Sequence, residues 1–277
     1  MGSDHIDKIF CTAQYIEILF ITSLKMQIEK LTQDQGNKVS QYRSKWEKIA
    51  LSSQFNSSDA RNAVEMTYSA LNLATPDIFF VASPKAAIEV VTSQNFGNPL
   101  AEVIASELVQ KQLDKLTNYI HQSLLNDLDR RICFLLNAKI SSIKEANEEM
   151  LCPAIKKLSR EKKNLIDNCI IPSDRCWISN AALLDFCISI LQCELDSVRW
   201  NNLSLLLKHC GWIYPFRRGC VVCQRPEQII IKAGTESESA MTTLSYSDGE
   251  IQYVFKDNKG FKWRSKIVQI MYKKYES

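Results

Sequence analysis

The chain changes from helical to extended character at Cys210-Gly-Trp-Ile-Tyr-Pro-Phe216. Upstream of this segment, apolar residues recur every three or four positions, which predicts one helix from about Ser179 to Leu195 and another from Asp196 to His209. Gly211 then stands where a C′ glycine commonly ends a helix. The segment therefore predicts a junction between a helical body and a strand-rich C-terminal region.

Downstream of the junction the sequence is typical of β-strands. Apolar and polar residues alternate, and we expect strands at Gln228–Lys232, Thr243–Ser247 and Glu250–Lys256. The predicted fold class is α+β, with a predominantly helical body and a small antiparallel β-hairpin region at the C-terminal end.

The turn between the last two strands is predicted from Asp248-Gly249, which is typical of a two-residue hairpin loop. Such a loop would place Leu244 and Tyr246 on one face of the hairpin. We expect them to share that face with some of the apolar residues of the last strand, namely Ile251, Tyr253 and Phe255.

A strand-turn-helix unit is predicted nearer the N-terminus. Ile78–Val81 is a bounded apolar run rich in β-forming residues, and Ser83-Pro84 supplies a helix N-cap followed by proline at the first helical position. Before this unit, Ser57-Ser58-Asp59 is a plausible N-cap for a helix over Ala60–Leu73.

The Leu-rich middle of the chain predicts a long helical hairpin. No glycine or proline occurs between Pro99 and Pro153, and the apolar residues keep a helical spacing. One continuous helix of that length would reach roughly 70 Å at 1.5 Å per residue, which is too long for a compact domain. We therefore expect the segment to fold back on itself.

Composition indicates a globular protein that carries its positive charge at one end. The 277 residues have a formal net charge of +3, and seven of the Lys and Arg residues lie between Lys256 and Ser277. Ten cysteines without a secretion signal predict reduced thiols and a cytoplasmic location. The apolar run Ile9–Leu24 is interrupted by Gln14 and Glu17 and is too short to span a membrane, so no membrane partner is expected.

Three regions are predicted along the chain. Residues 1–25 form a helical N-terminal extension, and residues 26–226 form the helical body with its strand-turn-helix unit. Residues 227–277 form the β-rich tail with a basic end.

The pair Cys220-Val-Val-Cys223 has the spacing of a zinc or dithiol motif, and His209 and Cys210 lie nearby in sequence. The two valines favour an extended chain, in which residues i and i+3 point to opposite faces, so the two sulfurs would diverge. We interpret these cysteines as buried structural residues. A metal or enzyme centre at His209, Cys210, Cys220 and Cys223 is the alternative.

Aromatic and arginine residues are dense around the junction, and such residues dominate the energetics of protein interfaces. The candidate interaction residues are Trp212, Tyr214, Phe216, Arg217 and Arg225. The alternative interpretation is that the rings fix the β-rich tail to the core.

Two basic stretches could contact nucleic acid. Lys156, Lys157 and Arg160 belong to a basic cluster, and Lys262 and Arg264 alternate with aromatic residues near the C-terminus. A solvated charged face is the alternative for both.

Five segments together resemble a family of bacterial proteins, found mainly in cyanobacteria and actinobacteria, that is known as a domain of unknown function. The similar segments are Tyr42–Trp46 with Ala50–Ser52, Pro76–Pro84, Asp185–Cys187, Cys210–Phe216 and Cys220–Pro226. The last two form the motif Cys-Gly-Trp-x-x-Pro-Phe…Cys-x-x-Cys-x-Arg-Pro.

The resemblance covers Met26 to about Lys256, so residues 1–25 lie outside it. Members of the family usually carry histidines in the tail, whereas Thr235–Ala240 and Asp257–Gly260 contain none in this chain. The resemblance implies continuity of fold and a bacterial source, and it assigns no chemistry.

No glycine-rich phosphate loop, H-E-x-x-H or G-x-S-x-G motif occurs, so no catalytic residue and no cofactor is predicted. The expected function is that of a non-enzymatic cytoplasmic protein-interaction or regulatory module. An enzyme or metal-binding module and a nucleic-acid binder are the alternatives.

Overall fold

The structure is a computed structural model that describes residues 27–132, 156–232 and 240–256. Two helices, α1 (Gln33–Ala50) and α2 (Ser57–Ala70), come first. They are followed by strand β1 (Asp77–Val81) and helix α3 (Pro84–Ser93). The predicted strand-turn-helix unit is confirmed, because the Ser83 hydroxyl accepts a hydrogen bond from the backbone N–H of Ala86 (3.3 Å) and caps α3.

The remaining helices follow in chain order. They are α4 (Ala101–Ala105), a π-helical turn (Ser106–Gln110), α5 (Lys111–Leu116), α6 (122–132), α7 (Arg160–Asp167), α8 (Arg175–Ser189) and α9 (Ser197–His209). The strands after α9 are β2 (Ile213–Pro215), β3 (Gly219–Cys223), β4 (Gln228–Lys232), β5 (Ala240–Ser245) and β6 (Ile251–Lys256).

Two predicted helix boundaries differ from the observed ones because other residues act as caps. Asn56, rather than Ser57-Ser58-Asp59, caps α2 by accepting from the N–H groups of Ser58 and Asp59. Asp174 caps α8, so this helix begins four residues before the predicted start at Ser179. An Asn or Asp side chain one residue outside a helix satisfies N–H groups that the helix itself leaves open.

The predicted Leu-rich hairpin is described only in its first part. The helical stretch from Ala101 to Leu116 ends in a turn at residues 117–120, and α6 follows. Ile28 holds this turn, because it accepts from the N–H of His121 (3.0 Å) and donates to the carbonyl of Tyr119 (2.8 Å). Residues 133–155 lie outside the described ranges, so the return arm of the hairpin stays a prediction.

The first sheet has the strand order β1-β3-β2. β1 pairs with β3 in parallel from Asp77↔Gly219 to Val81↔Cys223, and β2 pairs with β3 in antiparallel register. β3 is therefore the central strand, and all five of its residues are buried. The parallel pair joins segments that lie about 140 residues apart along the chain.

The second sheet has the order β4-β5-β6 and is antiparallel throughout. Its hairpin differs from the predicted one by one residue. The N–H of Tyr246 bonds to the carbonyl of Glu250 (2.9 Å), which leaves a three-residue loop with Gly249 at φ +79°. Leu244 consequently pairs with Gln252, and Ile251 pairs with Ser245 and is 51% exposed.

The expectation that Leu244 shares a face with some of Ile251, Tyr253 and Phe255 is therefore wrong. The backbone register pairs these three residues with Ser245, Thr243 and Met241. A shift of one residue in register moves every side chain of a strand to the other face. A loop of three residues ending in a left-handed glycine is a common hairpin type, and the Asp-Gly pair alone does not distinguish it from the two-residue loop.

Apolar side chains form two main clusters on the two sides of the first sheet. The main core joins the helices to one face of the sheet through Ile213, Cys220 and Val222. The second core lies on the opposite face and joins α3 and α7 to the sheet. The members of the second core are Ala87, Ile88, Val91, Phe96, Ile166, Trp212, Tyr214, Phe216, Val221 and Cys223.

The α+β class is confirmed by this arrangement of helices around two small sheets. No helix within residues 27–132, 156–232 and 240–256 combines the length and the apolar character needed to cross a membrane. The proposed N-terminal extension lies outside these ranges.

Candidate functional site

The five segments that carry the resemblance form two groups in space although they are far apart along the chain. Pro76–Pro84 supplies β1, Cys220–Pro226 supplies β3, and Cys210–Phe216 supplies β2, so three of them form the first sheet. The other two, Tyr42–Ser52 and Asp185–Cys187, lie on the helices α1 and α8, which pack on each other.

The contact between α1 and α8 is built around a buried carboxylate. Asp185 is 5% exposed, and its Oδ2 accepts from Lys45 Nζ at 2.6 Å and from Trp46 Nε1 at 2.9 Å. Its Oδ1 accepts from the Ser189 hydroxyl at 3.2 Å. A buried carboxylate with this many donors is fully satisfied, so these residues fix the two helices together. No sequence pattern links Lys45 to a residue 140 positions away.

Four of the five candidate interaction residues are buried. Trp212, Tyr214 and Phe216 are 6%, 0% and 1% exposed, and Arg225 is 5% exposed, whereas Arg217 is exposed. Side chains inside the core present no surface to a partner. The packing supports the alternative interpretation, in which the rings fix the strands to the helical body.

The contacts of these rings show how they act. Phe216 stacks on Phe96 with ring centroids 5.6 Å apart, and Phe96 in turn contacts Phe79 at 5.3 Å. The Tyr68 hydroxyl of α2 donates to the carbonyl of Phe216 at 2.8 Å. Phe216, the residue after β2, is thereby held by Phe96 in the loop after α3 and by Tyr68 of α2, which the sequence alone did not show.

Gly211 is required by close packing rather than by a left-handed conformation. Cys210 caps α9 in an extended conformation, so Gly211 occupies the predicted C′ position, although its φ is not positive. A Cβ on Gly211 would lie 2.5 Å from the carbonyl oxygen of Cys223 and 2.6 Å from that of Gln224. The chain leaving α9 therefore passes directly against the end of β3.

Cys220 and Cys223 lie on opposite faces of β3, as the extended conformation predicts. Cys220 belongs to the main core and Cys223 to the second core. Burial raises the pKa of both thiols well above the usual value, and it raises the pKa of Cys210 to about 12. Within the described ranges, no three His, Cys, Asp or Glu side chains are grouped so that they could hold a metal ion.

His209 lies at the end of α9, and its Nδ1 is 3.8 Å from Asp59 Oδ2. The neighbouring Cys210 thiol is buried and contacts the carbonyl oxygen of Ala60 at 3.9 Å. A general base needs a nucleophile at hydrogen-bond range, and a protonated buried thiol is a poor nucleophile. The alternative centre at His209 and the three cysteines gains no support from this geometry.

Ser159 caps α7, and the basic side chains around this cap are exposed. Lys156 and Lys157 precede the cap, and Arg160 follows it. Lys262 and Arg264 lie outside the described residues. Nucleic-acid binding through these five residues stays a prediction.

Arg225 is the motif residue with the most unusual surroundings. Its Nη1 donates to the carbonyl of Ile49 in the last turn of α1 (2.6 Å) and to that of Ser52 just after this helix (3.2 Å). Its Nη2 donates to the carbonyl of Leu207 in the last turn of α9. Carbonyls at helix C-termini carry partial negative charge and have no intrahelical partner. Arg225 therefore joins the ends of two helices to the end of β3.

A further feature, which the sequence analysis missed, is the open edge of β1. The N–H of Asp77 bonds to Arg218 and the carbonyl of Val81 accepts from Gln224, so residues 77, 79 and 81 face β3. Ile78 and Phe80 consequently direct their N–H and C=O groups away from the sheet, and no described residue pairs with them. The strand was predictable, but its edge position is a property of the assembled sheet.

Comparison of the chain with protein-family models, curated proteins and solved structures finds no match. The resemblance to the bacterial family therefore stays a prediction that rests on the five segments alone.

Proposed function

We propose that this chain is a non-enzymatic cytoplasmic module that binds an extended segment of another protein at the open edge of β1. The observation that supports this function is the outward direction of the backbone groups of Ile78 and Phe80. Sheet edges of this kind take up extended peptides by adding a strand, and the backbone hydrogen bonds supply much of the affinity.

Side chains beside the edge would provide selectivity for the added strand. Phe80 lies on one face of β1, where it contacts the Phe55 ring (6.0 Å between centroids) and the Arg61 guanidinium (5.4 Å from the ring). Phe79 lies on the other face and is half-buried. Alternate residues of a bound strand would meet these two aromatic surfaces in turn.

The short length of the edge sets the expected strength of binding. Only Ile78 and Phe80 offer outward groups, which allows about four backbone hydrogen bonds at a net 0.5–1.5 kcal/mol each. Binding should therefore be reversible and of moderate affinity, as suits a regulatory contact.

The state of the thiols supports the cytoplasmic location. Cys187, Cys210, Cys220 and Cys223 are buried as free thiols in the described residues. Free thiols in this number are typical of a reducing compartment.

The test uses peptides selected from a phage-displayed library of random dodecapeptides against the wild-type chain. Ile78→Pro removes one outward N–H without touching the bonds to β3, because proline is tolerated on the outer side of an edge strand. The matched control, Ile78→Val, keeps that N–H. We expect Ile78→Pro to weaken binding of the selected peptides by roughly 3- to 10-fold and Ile78→Val to change it by less than about 2-fold.

Hydrogen exchange on the wild-type chain gives a second readout that does not depend on the stability of the proline variant. Saturation with a selected peptide should slow exchange of the Ile78 and Phe80 amides. The proposal fails if the library yields no binder, if the selected peptides bind Ile78→Pro and wild type equally, or if these two amides stay unprotected.

A further inference from the structure

Arg61 places a positive charge beside the open edge of β1. It lies near the N-terminal end of α2, and its guanidinium is 5.4 Å from the centroid of the Phe80 ring. Phe80 and Ile78 both pack against the main core, on the face of the sheet that α2 also covers. The residue whose backbone groups point out of the sheet therefore has an arginine over its side chain.

The Phe80 ring holds the guanidinium and leaves its N–H groups available. The attraction between a guanidinium and the face of an aromatic ring takes up no hydrogen-bond donor. The Arg61 guanidinium donates no hydrogen bond to a residue within 27–132, 156–232 or 240–256. Because 49% of its side-chain surface is exposed, a ligand can reach these donors.

The ion pair that Arg61 makes with a described residue is weak. Glu65 lies one turn further along α2, with its Oε1 3.9 Å from Arg61 Nη1, and its side chain is 41% exposed. That distance is too long for a hydrogen bond, and exposed pairs of this kind contribute little. A second carboxylate can therefore bind Arg61 without breaking a strong contact.

A strand added at this edge would bring a side chain next to Arg61. Directly opposite residues of neighbouring strands share a face of the sheet, with Cβ atoms about 4.5–5.5 Å apart. The residue opposite Phe80 would thus lie beside the Phe80 ring and within reach of the guanidinium above it. Carboxylates suit this position best, because they accept the parallel pair of hydrogen bonds that a guanidinium offers.

We propose that the segment bound at the edge of β1 is acidic and carries an Asp or Glu opposite Phe80, which Arg61 selects. This proposal rests on the proposed strand addition, and it adds the chemical class of the partner. Asp77, at the other end of β1, is exposed and negative. An acidic residue shifted toward Asp77 would lose Arg61 and approach a like charge, so the same pair of residues also favours one register of the bound strand.

The test is a double-mutant cycle with the dodecapeptides selected against the wild-type chain. Each Asp or Glu of a selected peptide is replaced in turn by its amide, and both versions are measured against wild type and Arg61→Gln. At one acidic position, we expect Arg61→Gln to weaken the acidic peptide about 3- to 5-fold and to change binding of the amide version by less than about 2-fold. Arg61→Lys should restore only part of the affinity, because an ammonium group lacks the parallel donors.

Arg130→Gln is the matched control, since it changes the net charge of the chain by the same amount. Arg130 is exposed on α6, where it pairs with Asp127. We expect this variant to change binding of the acidic peptide by less than about 2-fold. An equal loss in Arg130→Gln and Arg61→Gln would mean that net charge, rather than Arg61, attracts the peptide, and would overturn the proposal.

The remaining outcomes separate the two proposals. If Ile78→Pro weakens binding while Arg61→Gln affects the acidic and amide peptides equally, strand addition stands and selection by Arg61 is overturned. Selected peptides without Asp or Glu would have the same meaning. A library without binders, or peptides that ignore Ile78→Pro, would overturn strand addition and the role of Arg61 with it.

Discussion

The two sheets of this chain have three strands each, but they differ in how much of each sheet is buried by packing against the helices. In the first sheet, every residue of β3 is buried, because helices cover both faces. In the second sheet, the cluster around Leu244 and Tyr246 is small, and Ile251 is half-exposed. The first sheet therefore contains the large apolar contacts with the helices, the buried thiols of β3 and the close backbone contact at Gly211. The second sheet packs beside it through fewer contacts.

Leu51 at the end of α1 packs against Leu244 and Tyr246, and the rest of the attachment described here is polar. The Ser83 hydroxyl at the start of α3 donates to Asp248 Oδ2 at 2.6 Å, and Lys85 pairs with Glu250 at 2.9 Å. Both contacts hold the hairpin loop of the second sheet to the helix that covers the first. Partly exposed contacts of this kind contribute little stability compared with a buried apolar face. We therefore expect the first sheet to determine most of the free energy of unfolding.

The largest expected effect comes from alkaline pH. Burial raises the pKa of Cys210 from 9.0 to about 12 and raises those of Cys220 and Cys223 well above 9.0. The folded state then holds protons that the unfolded state has released. Each such thiol contributes stability that is fully present below pH 9 and is lost at about 1.4 kcal/mol per pH unit as the pH rises toward the folded pKa.

Urea unfolding at pH 7, 9, 10 and 11 under reducing conditions measures this effect. Cys220→Ala removes one titrating group, so its free energy of unfolding should fall less steeply above pH 9 than that of the wild type. An unfolding free energy that stays level from pH 9 to pH 11 would contradict the burial of these thiols.

The second prediction compares one glycine near each sheet. Gly211→Ala places a Cβ against two backbone carbonyls at the end of β3, and these cannot move without disrupting the sheet. We expect a loss of at least ~3 kcal/mol. In Gly249→Ala the new Cβ contacts no atom within 4 Å, so the only cost is the strain of an alanine at φ +79°, about 1 kcal/mol. Chemical denaturation of both variants measures the difference, and equal losses would remove the distinction between the sheets.

The smallest effect is expected from threonine substitutions that keep a β-branched side chain. Val221→Thr introduces a hydroxyl at a position that is 0% exposed, which costs about 1–3 kcal/mol if the hydroxyl finds no partner. Ile251→Thr lies at a position that is 51% exposed and should change stability by less than ~0.5 kcal/mol. Thermal unfolding compares the two variants. A larger loss of stability for Ile251→Thr than for Val221→Thr would contradict the assignment of Val221 to the core and of Ile251 to the surface.

The sequence predicted those elements whose signals are local. β4 was predicted at its observed bounds, and the capping of α3 by Ser83 with Pro84 following it was also correct. The extended conformation of Cys220–Cys223 followed from two β-branched residues. In each case the residues that determine the conformation are neighbours along the chain.

The failures have a common physical origin. The C′ position of Gly211 was predicted, but its close approach to the carbonyl of Cys223 was not, because that contact depends on where β3 packs. The hairpin register was wrong because Asp-Gly suits two loop lengths, and one residue separates them. The aromatic residues of the junction are as compatible with an interface as with a core, and only the helices packed on both sides place them inside.

The sequence by itself thus determined the fold class, most of the helices and the change from helix to strand at Cys210–Phe216. Tertiary structure alone decided that β1 pairs with β3 and that Arg225 is enclosed against the ends of two helices. It also decided that no residue in the described ranges pairs with the other edge of β1. The physical reason is that backbone conformation follows from local sterics and periodicity, whereas burial and pairing depend on residues about 140 positions away.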